Sequence, residues 1–262
     1  MNKQILAMAS WNFRLARRWY VLLCTVFAVQ QLAVLLALAA STGYMRCTYA
    51  GLFYFGRQLY LFGAAFVGAG IVSARNLMQN RGRTHAAYLW LTLPQPRWAK
   101  LAAQTLTAFA MELGVLALQA VLYIAYYFPV AAVQRWRANQ FLTQPMPADN
   151  LYEQVIRSNL MLVYPVSWPG MLLLALILIA SSIMLPAIFL HIGWRRAGAA
   201  AMAVAGGFLG LGMIYRSQNL FVYTFLKETV FCGVLLVILA LISWLWALRA
   251  LRCALPDGGT DS

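Results

Sequence analysis

The sequence predicts an all-α, multi-pass membrane protein. Three observations carry the prediction. Of the 262 residues, 63% are apolar and only 10% are charged, against roughly 25% charged in an average soluble domain. Mean hydropathy is +0.72, whereas a soluble globule needs more polar surface to cover its core. The apolar residues also gather into six runs of the roughly 20 residues that a spanning helix needs. This composition argues against a cytosolic enzyme, a nucleic-acid reader and a disordered chain. Residues 1–262 read as one transmembrane domain.

The elements follow in chain order. Residues 1–18 alternate Lys3, Arg14, Arg17 and Arg18 with Ile5, Leu6, Met8, Trp11, Phe13 and Leu15, the pattern of a basic amphipathic helix lying in the membrane interface. A signal peptide is the rival reading, because Ala37-Leu38-Ala39 resembles a cleavage site. The run from Tyr20 to Ala40 exceeds the usual h-region of about 7–15 residues, which disfavours it. Span one is Tyr20–Thr42, and Ser41–Thr48 makes a tight outer turn into span two, Tyr49–Val72. Residues 73–98 form a large inner loop. Span three, Ala99–Phe128, is long enough to tilt. Residues 129–168 form the longest outer segment. Within it, Asp149–Leu160 is expected as a helix capped by Asp149, with Leu151, Val155, Ile156 and Leu160 on one face. That helix is either a surface element or a lid over an exit path. Span four is Pro169–Leu190, and His191–Arg196 makes a tight inner turn. Span five, Ala197–Ile214, is rich in Gly, and Gly206-x-x-x-Gly210 fits close helix contact. Span six is Thr229–Leu248.

Basic residues set the orientation. The net charge is +14. With the N-terminus inside, the inner segments hold Lys3, Arg14, Arg17, Arg18, Arg75, Arg81, Arg83, Arg97, Lys100, Arg195, Arg196, Arg249 and Arg252. The outer segments hold Arg46, Arg135, Arg137, Arg157, Arg216 and Lys227, and Arg57 falls within a span. Positive residues collect on the cytoplasmic side, so both termini are expected in the cytoplasm. Topology then accounts for most of the basic excess, and no nucleic-acid partner is needed.

Catalytic patterns are sparse. His85 and His191 have no H-E-x-x-H context, and G-x-S-x-G is absent. Cys24, Cys47, Cys232 and Cys253 form no CxxC, so neither a zinc site nor a disulfide framework is expected. No G-x-x-x-x-G-K-[ST] occurs, so ATP hydrolysis by a Walker-A mechanism would need another chain. No cofactor or metal is expected in this one. Two charges fall inside spans, Arg57 and Glu112, and such residues rarely face lipid. Counting helix rise puts both near the midplane. They are expected to pair, or to share a network with Gln58, Gln104 or Gln119, either fixing helix register or lining a substrate path.

The inner loop is the most distinctive segment. A basic stretch with Arg81 and Arg83 precedes an apolar one, Tyr88–Leu93. Pro94 and Pro96 then stop any helix, and Arg97 and Lys100 begin span three. The apolar side chains must pack on membrane or on a partner protein. Arg81-Gly82-Arg83, the run Leu89-Trp-Leu-Thr-Leu-Pro94, and Arg97 with Lys100 resemble the coupling segment of permease subunits of the ABC-2 type of ATP-binding cassette transporter. The layout also resembles that family, with an N-terminal interfacial helix and six spans with both ends inside. Asn76 and Gln79 stand where members often carry an acidic residue.

The resemblance implies an exporter of a peptide, drug or lipid-like substrate in a bacterial plasma membrane. It implies a second permease, in a homo- or heterodimer. It also implies a separate ATP-binding subunit that holds ATP and Mg and docks on Arg81, Arg83, Tyr88, Leu89, Trp90, Leu91, Leu93 and Pro94. The alternatives from other classes are a membrane enzyme using Glu112 and a histidine, and a non-transporting scaffold.

Overall fold

The computed structural model describes residues 2–44, 47–74, 94–141, 150–157, 168–190, 194–219 and 222–253. The described residues are almost all α-helical, with one 3-10 helix. Four helices are apolar and long enough to cross a membrane, and a bent pair supplies a fifth crossing if it counts as one span. An all-helical, membrane-compatible fold was the expectation.

Helix α1 runs from Asn2 to Ala40 without interruption. The expected interfacial helix and span one are therefore a single element of 39 residues, about 58 Å long at 1.5 Å per residue. The reason lies in its buried stripe. Asn12, Ala16, Phe27, Gln31, Leu35 and Ala39 are buried at the three- and four-residue spacing of one helix face. One neighbour, the long helix that begins at Arg97, covers that face from Asn12 upward, so nothing makes the chain turn at Arg18.

Thr42–Tyr44 forms a 3-10 turn. Helix α2, Tyr49–Phe55, begins at Thr48, whose hydroxyl accepts from the Gly51 amide. Helix α3, Gln58–Ser73, follows after a break at Gly56 and Arg57 with a 61° bend. Arg57 has φ of 50°, the one non-glycine residue in the left-handed region among those described.

Helix α4 extends from Arg97 to Phe141 and continues straight through Pro129. The outer segment expected to open at residue 129 is thus helical for twelve further residues. Proline costs a helix interior about 3 kcal/mol. Burial of Val130, Gln134 and Ala138 on the far side offsets this, and the Gln134 side chain donates to the Cys47 carbonyl at 2.8 Å. Helix α5, Leu151–Arg157, follows Asn150, whose Oδ1 accepts from the Tyr152 amide; Asp149, the expected cap, and residues 158–160 of the expected helix lie outside the described residues. Helices α6 (Trp168–Leu190), α7 (Trp194–Asn219) and α8 (Val222–Cys253) complete the bundle.

Direction can be read from the contacts. Asn12 meets Gln104 and Gln31 meets Gln119, so α1 and α4 are parallel. Gly68 faces Leu23 and Gly56 faces Leu38, so α3 runs against α1. Gly198 faces Trp246, Gly206 faces Met184 and Leu236, and Arg196 lies over the Phe189 ring, so α7 runs against both α6 and α8. Leu101, Ala187, Ala247 and Leu251 share a cluster with Trp11. The start of α1 and the end of α8 therefore lie at the same end of the bundle as the start of α4.

Candidate functional site

The polar side chains buried in this bundle form a series of separate rungs between α1, α3, α4 and α6. At the end shared by the first and last helices, Asn12 donates to Gln104 Oε1 at 3.2 Å, and Gln104 Nε2 donates to the Ser73 carbonyl at 2.7 Å. Gln104 thereby ties α1 to α3 through α4. Thr107 donates to the Ala9 carbonyl beside it. Further along, Gln31 Nε2 donates to Gln119 Oε1 at 2.8 Å. Interhelical hydrogen bonds in membranes contribute on average about 0.6 kcal/mol each. Their larger effect is on register, because a slip of one residue would strand both amides in an apolar environment.

Glu112 lies between the first and third rungs, fully buried. The Ser181 hydroxyl of α6 donates to its Oε2 at 2.5 Å and sits 3.1 Å from the Leu178 carbonyl. Among the described residues, Oε1 has no hydrogen-bond partner. Gly70 of α3 closes the third side. A β-carbon there would overlap Leu185 Cδ1, and would lie 2.9 Å from Glu112 Oε1 and 3.0 Å from Leu185 Cβ. Three helices thus meet at one carboxyl, and only a glycine permits their approach.

The expected pairing of Arg57 with Glu112 does not form. Arg57 is exposed at the break that starts α3. Glu112 packs beside Gly70, near the other end of α3. The two are separated by thirteen residues of α3, or about 20 Å of helix rise. The depth count failed because it took the inner ends of the two spans as level: Ser73, at the end of α3, meets Gln104 rather than the start of α4, so Glu112 lies only about two turns from that end of α3. Gln58 is buried next to the break, with neither side-chain polar atom bonded among the described residues. It joins neither Arg57 nor Glu112 in a network. Gln104 and Gln119 bond to α1 instead.

Of the residues expected to dock on an ATPase, only Pro94 is described, and it is exposed at the turn entering α4. Arg81, Arg83, Tyr88, Leu89, Trp90, Leu91 and Leu93 lie outside the described residues, as do His85 and His191. Gly210 and Gly212 also fall outside the described contacts. Gly206 does sit at a close approach, with its β-position 3.0 Å from the Met184 side chain.

At the opposite end, Tyr49, Phe53, Tyr123 and Tyr127 form an edge-on aromatic cluster with centroids 4.9–5.5 Å apart. Tyr49 donates to the Tyr123 carbonyl, and the Tyr123 hydroxyl donates to the Gln154 carbonyl. Gln154 Oε1 accepts from the Ala50 amide, and so satisfies a second free amide at the start of α2. Helix α5 is fastened by these bonds.

Ser181, Gln31, Asn12 and Gly70 had not been singled out from the sequence. The available signal was a polar residue inside an apolar run, as in Ser181-Ser182 and Gln30-Gln31. Among the described residues no group of His, Cys, Asp and Glu is placed to hold a metal ion. A lone serine–carboxyl hydrogen bond with a glycine against it offers a register lock or a polar point on a path. Comparison with protein-family models, curated protein sequences and solved structures gives no match.

Proposed function

We propose that this chain is the membrane-spanning permease subunit of an ATP-binding cassette transporter of the ABC-2 type. In this reading it has six spans with both termini in the cytoplasm of a bacterial cell. It pairs with a second permease and with a separate ATP-binding subunit that carries ATP and Mg, and it exports a peptide, drug or lipid-like substrate. The segment carrying Tyr88, Leu89, Trp90, Leu91 and Leu93 fills a groove on the ATPase, while Arg81 and Arg83 meet its acidic rim.

One observation supports this reading most. Trp11, Leu101 and Leu251 pack in one cluster, so the start of α1, the start of α4 and the end of α8 share one end of the bundle. An even number of crossings with a coupling segment on the terminal side requires that arrangement. The basic residues favour placing that end in the cytoplasm. The absence of a Walker-A motif is consistent with a partner ATPase.

The test is purification of the tagged full chain from its native membrane in mild detergent, followed by identification of what co-purifies. A Walker-A ATPase should be retained, and Trp90→Ala should weaken its retention, since truncating a buried aromatic anchor typically costs about 2 kcal/mol or more. A chain that purifies without any ATPase, or a Trp90→Ala variant that retains it fully, would overturn the reading.

A further inference from the structure

Arg14, Arg17 and Arg18 sit on α1 in the turns just before its long apolar run, and all three are exposed. With Val21 they line an open concavity of ≈ 540 Å³. The spacing 14, 17, 18, 21 is that of one helix face, so the continuity of α1 fixes the three guanidinium groups relative to the apolar stretch that follows. Among the described residues none of the three has a carboxylate partner.

The surface beyond them is apolar. Val21 is 54% exposed, Leu22 51% and Trp19 46%. An occupant that suits both parts has an anionic head and a hydrocarbon tail. Guanidinium groups match phosphate oxygens two at a time. Trp at this depth suits the boundary between headgroups and chains. A free phosphate would use the arginines and leave the apolar surface bare.

We propose that this concavity binds the headgroup of an anionic phospholipid, with the acyl chains lying along Val21 and Leu22. Arg14, Arg17 and Arg18 hold the phosphate, and α1 carries the lipid at the edge of the bundle. The site needs a membrane leaflet beside α1. It does not depend on the transporter reading, so it stands or falls separately.

The full chain is purified in mild detergent and titrated with short-chain phosphatidylglycerol, matched phosphatidylcholine and inorganic phosphate, with bound species counted by native mass spectrometry. Phosphatidylglycerol should bind more tightly than phosphatidylcholine. Each Arg→Gln substitution at 14, 17 or 18 should lower the phosphatidylglycerol affinity about fivefold and leave phosphatidylcholine unchanged. Arg14→Lys, Arg17→Lys and Arg18→Lys together keep the charge that guides insertion and should retain part of the preference. If the Gln variants fail to insert, wild-type protein still decides, because the preference should shrink as salt rises to about 0.5 M. Equal binding of the two lipids, or a preference that survives both salt and the Gln substitutions, overturns the proposal. Inorganic phosphate that binds as tightly as the lipid also overturns it, by marking a small-anion site.

Discussion

The Tyr20 hydroxyl occupies the space where Gly114 would carry a side chain. That hydroxyl donates to the Met111 carbonyl at 3.0 Å, one turn below Gly114 on α4. The missing side chain lets α1 approach closely enough for the bond to form. Gly114→Ala should therefore destabilise the bundle, although alanine favours a helix by up to about 1 kcal/mol over glycine, because overpacking typically costs about 1–3 kcal/mol. Tyr20→Phe removes the oxygen that the new methyl group meets. The double variant should be more stable than the sum of the two single effects, with a coupling of about 0.5–3 kcal/mol. Thermal unfolding in detergent checks this, and strict additivity would mean that the two residues do not share the space.

Arg57 sets the bend between α2 and α3 from the left-handed region. For an L-residue with a β-carbon that conformation costs roughly 1–2 kcal/mol, and glycine escapes it. Arg57→Gly should hold or raise the midpoint of thermal unfolding. Arg57→Val should lower it by clearly more, since a β-branched side chain suits this region worst. Both variants lose the same charge, so the difference between them reports on the backbone alone. Similar midpoints for the two would show that the bend does not depend on this conformation.

Much of the architecture is written in hydropathy, and the exceptions share a cause. Runs of apolar residues locate α1, α3, α4, α6, α7 and α8 because each helix must be apolar along its length to meet lipid or its neighbours. Pattern alone missed the junctions. A basic patch at Arg14–Arg18 looks like the end of an element, yet burial of Asn12 and Ala16 against α4 carries the helix through it. Pro129 looks like a stop, yet contacts at Val130 and Gln134 override it. The break at Gly56–Arg57 is marked only by Arg57-Gln58 within an apolar run, a pattern that reads equally as a buried polar group inside one span. Glu112 was identifiable as a buried polar residue, but its partner depends on which helices meet and at what relative height, and hydropathy gives neither. The coupling segment is legible only as a pattern of basic, apolar and proline residues, since 75–93 lie outside the described residues.

Gln154 decides between the two readings of α5. As a clasp, its side chain caps Ala50 while its carbonyl accepts from Tyr123. Gln154→Ala should then expose the first amides of α2 to faster hydrogen exchange and cost about 1 kcal/mol, the net worth of one hydrogen bond. Under the transporter proposal, export in a reconstituted system should be unaffected beyond that loss of stability. If α5 is a lid, the same substitution should alter transport while exchange at Tyr49–Gly51 stays as in the wild type.

Glu112 and Gly70 separate a structural lock from a working polar point. Gly70→Ala pushes a methyl group against Leu185 Cβ, which α6 can clear only by moving backbone, and against Glu112 Oε1 at the end of its side chain. Overpacking of this kind typically costs about 1–3 kcal/mol, so Gly70→Ala should reduce stability in either case. Glu112→Leu combined with Ser181→Ala removes both partners of the hydrogen bond and leaves no polar atom stranded. Such paired replacement is often close to neutral. Loss of Ser181 alone leaves the carboxyl buried without that donor, and should be worse than the double change. If the carboxyl only locks register, the double variant should fold and, under the transporter proposal, co-purify with an ATPase and transport as the wild type does. A double variant that folds and assembles normally but exports nothing would place Glu112 on the substrate path instead.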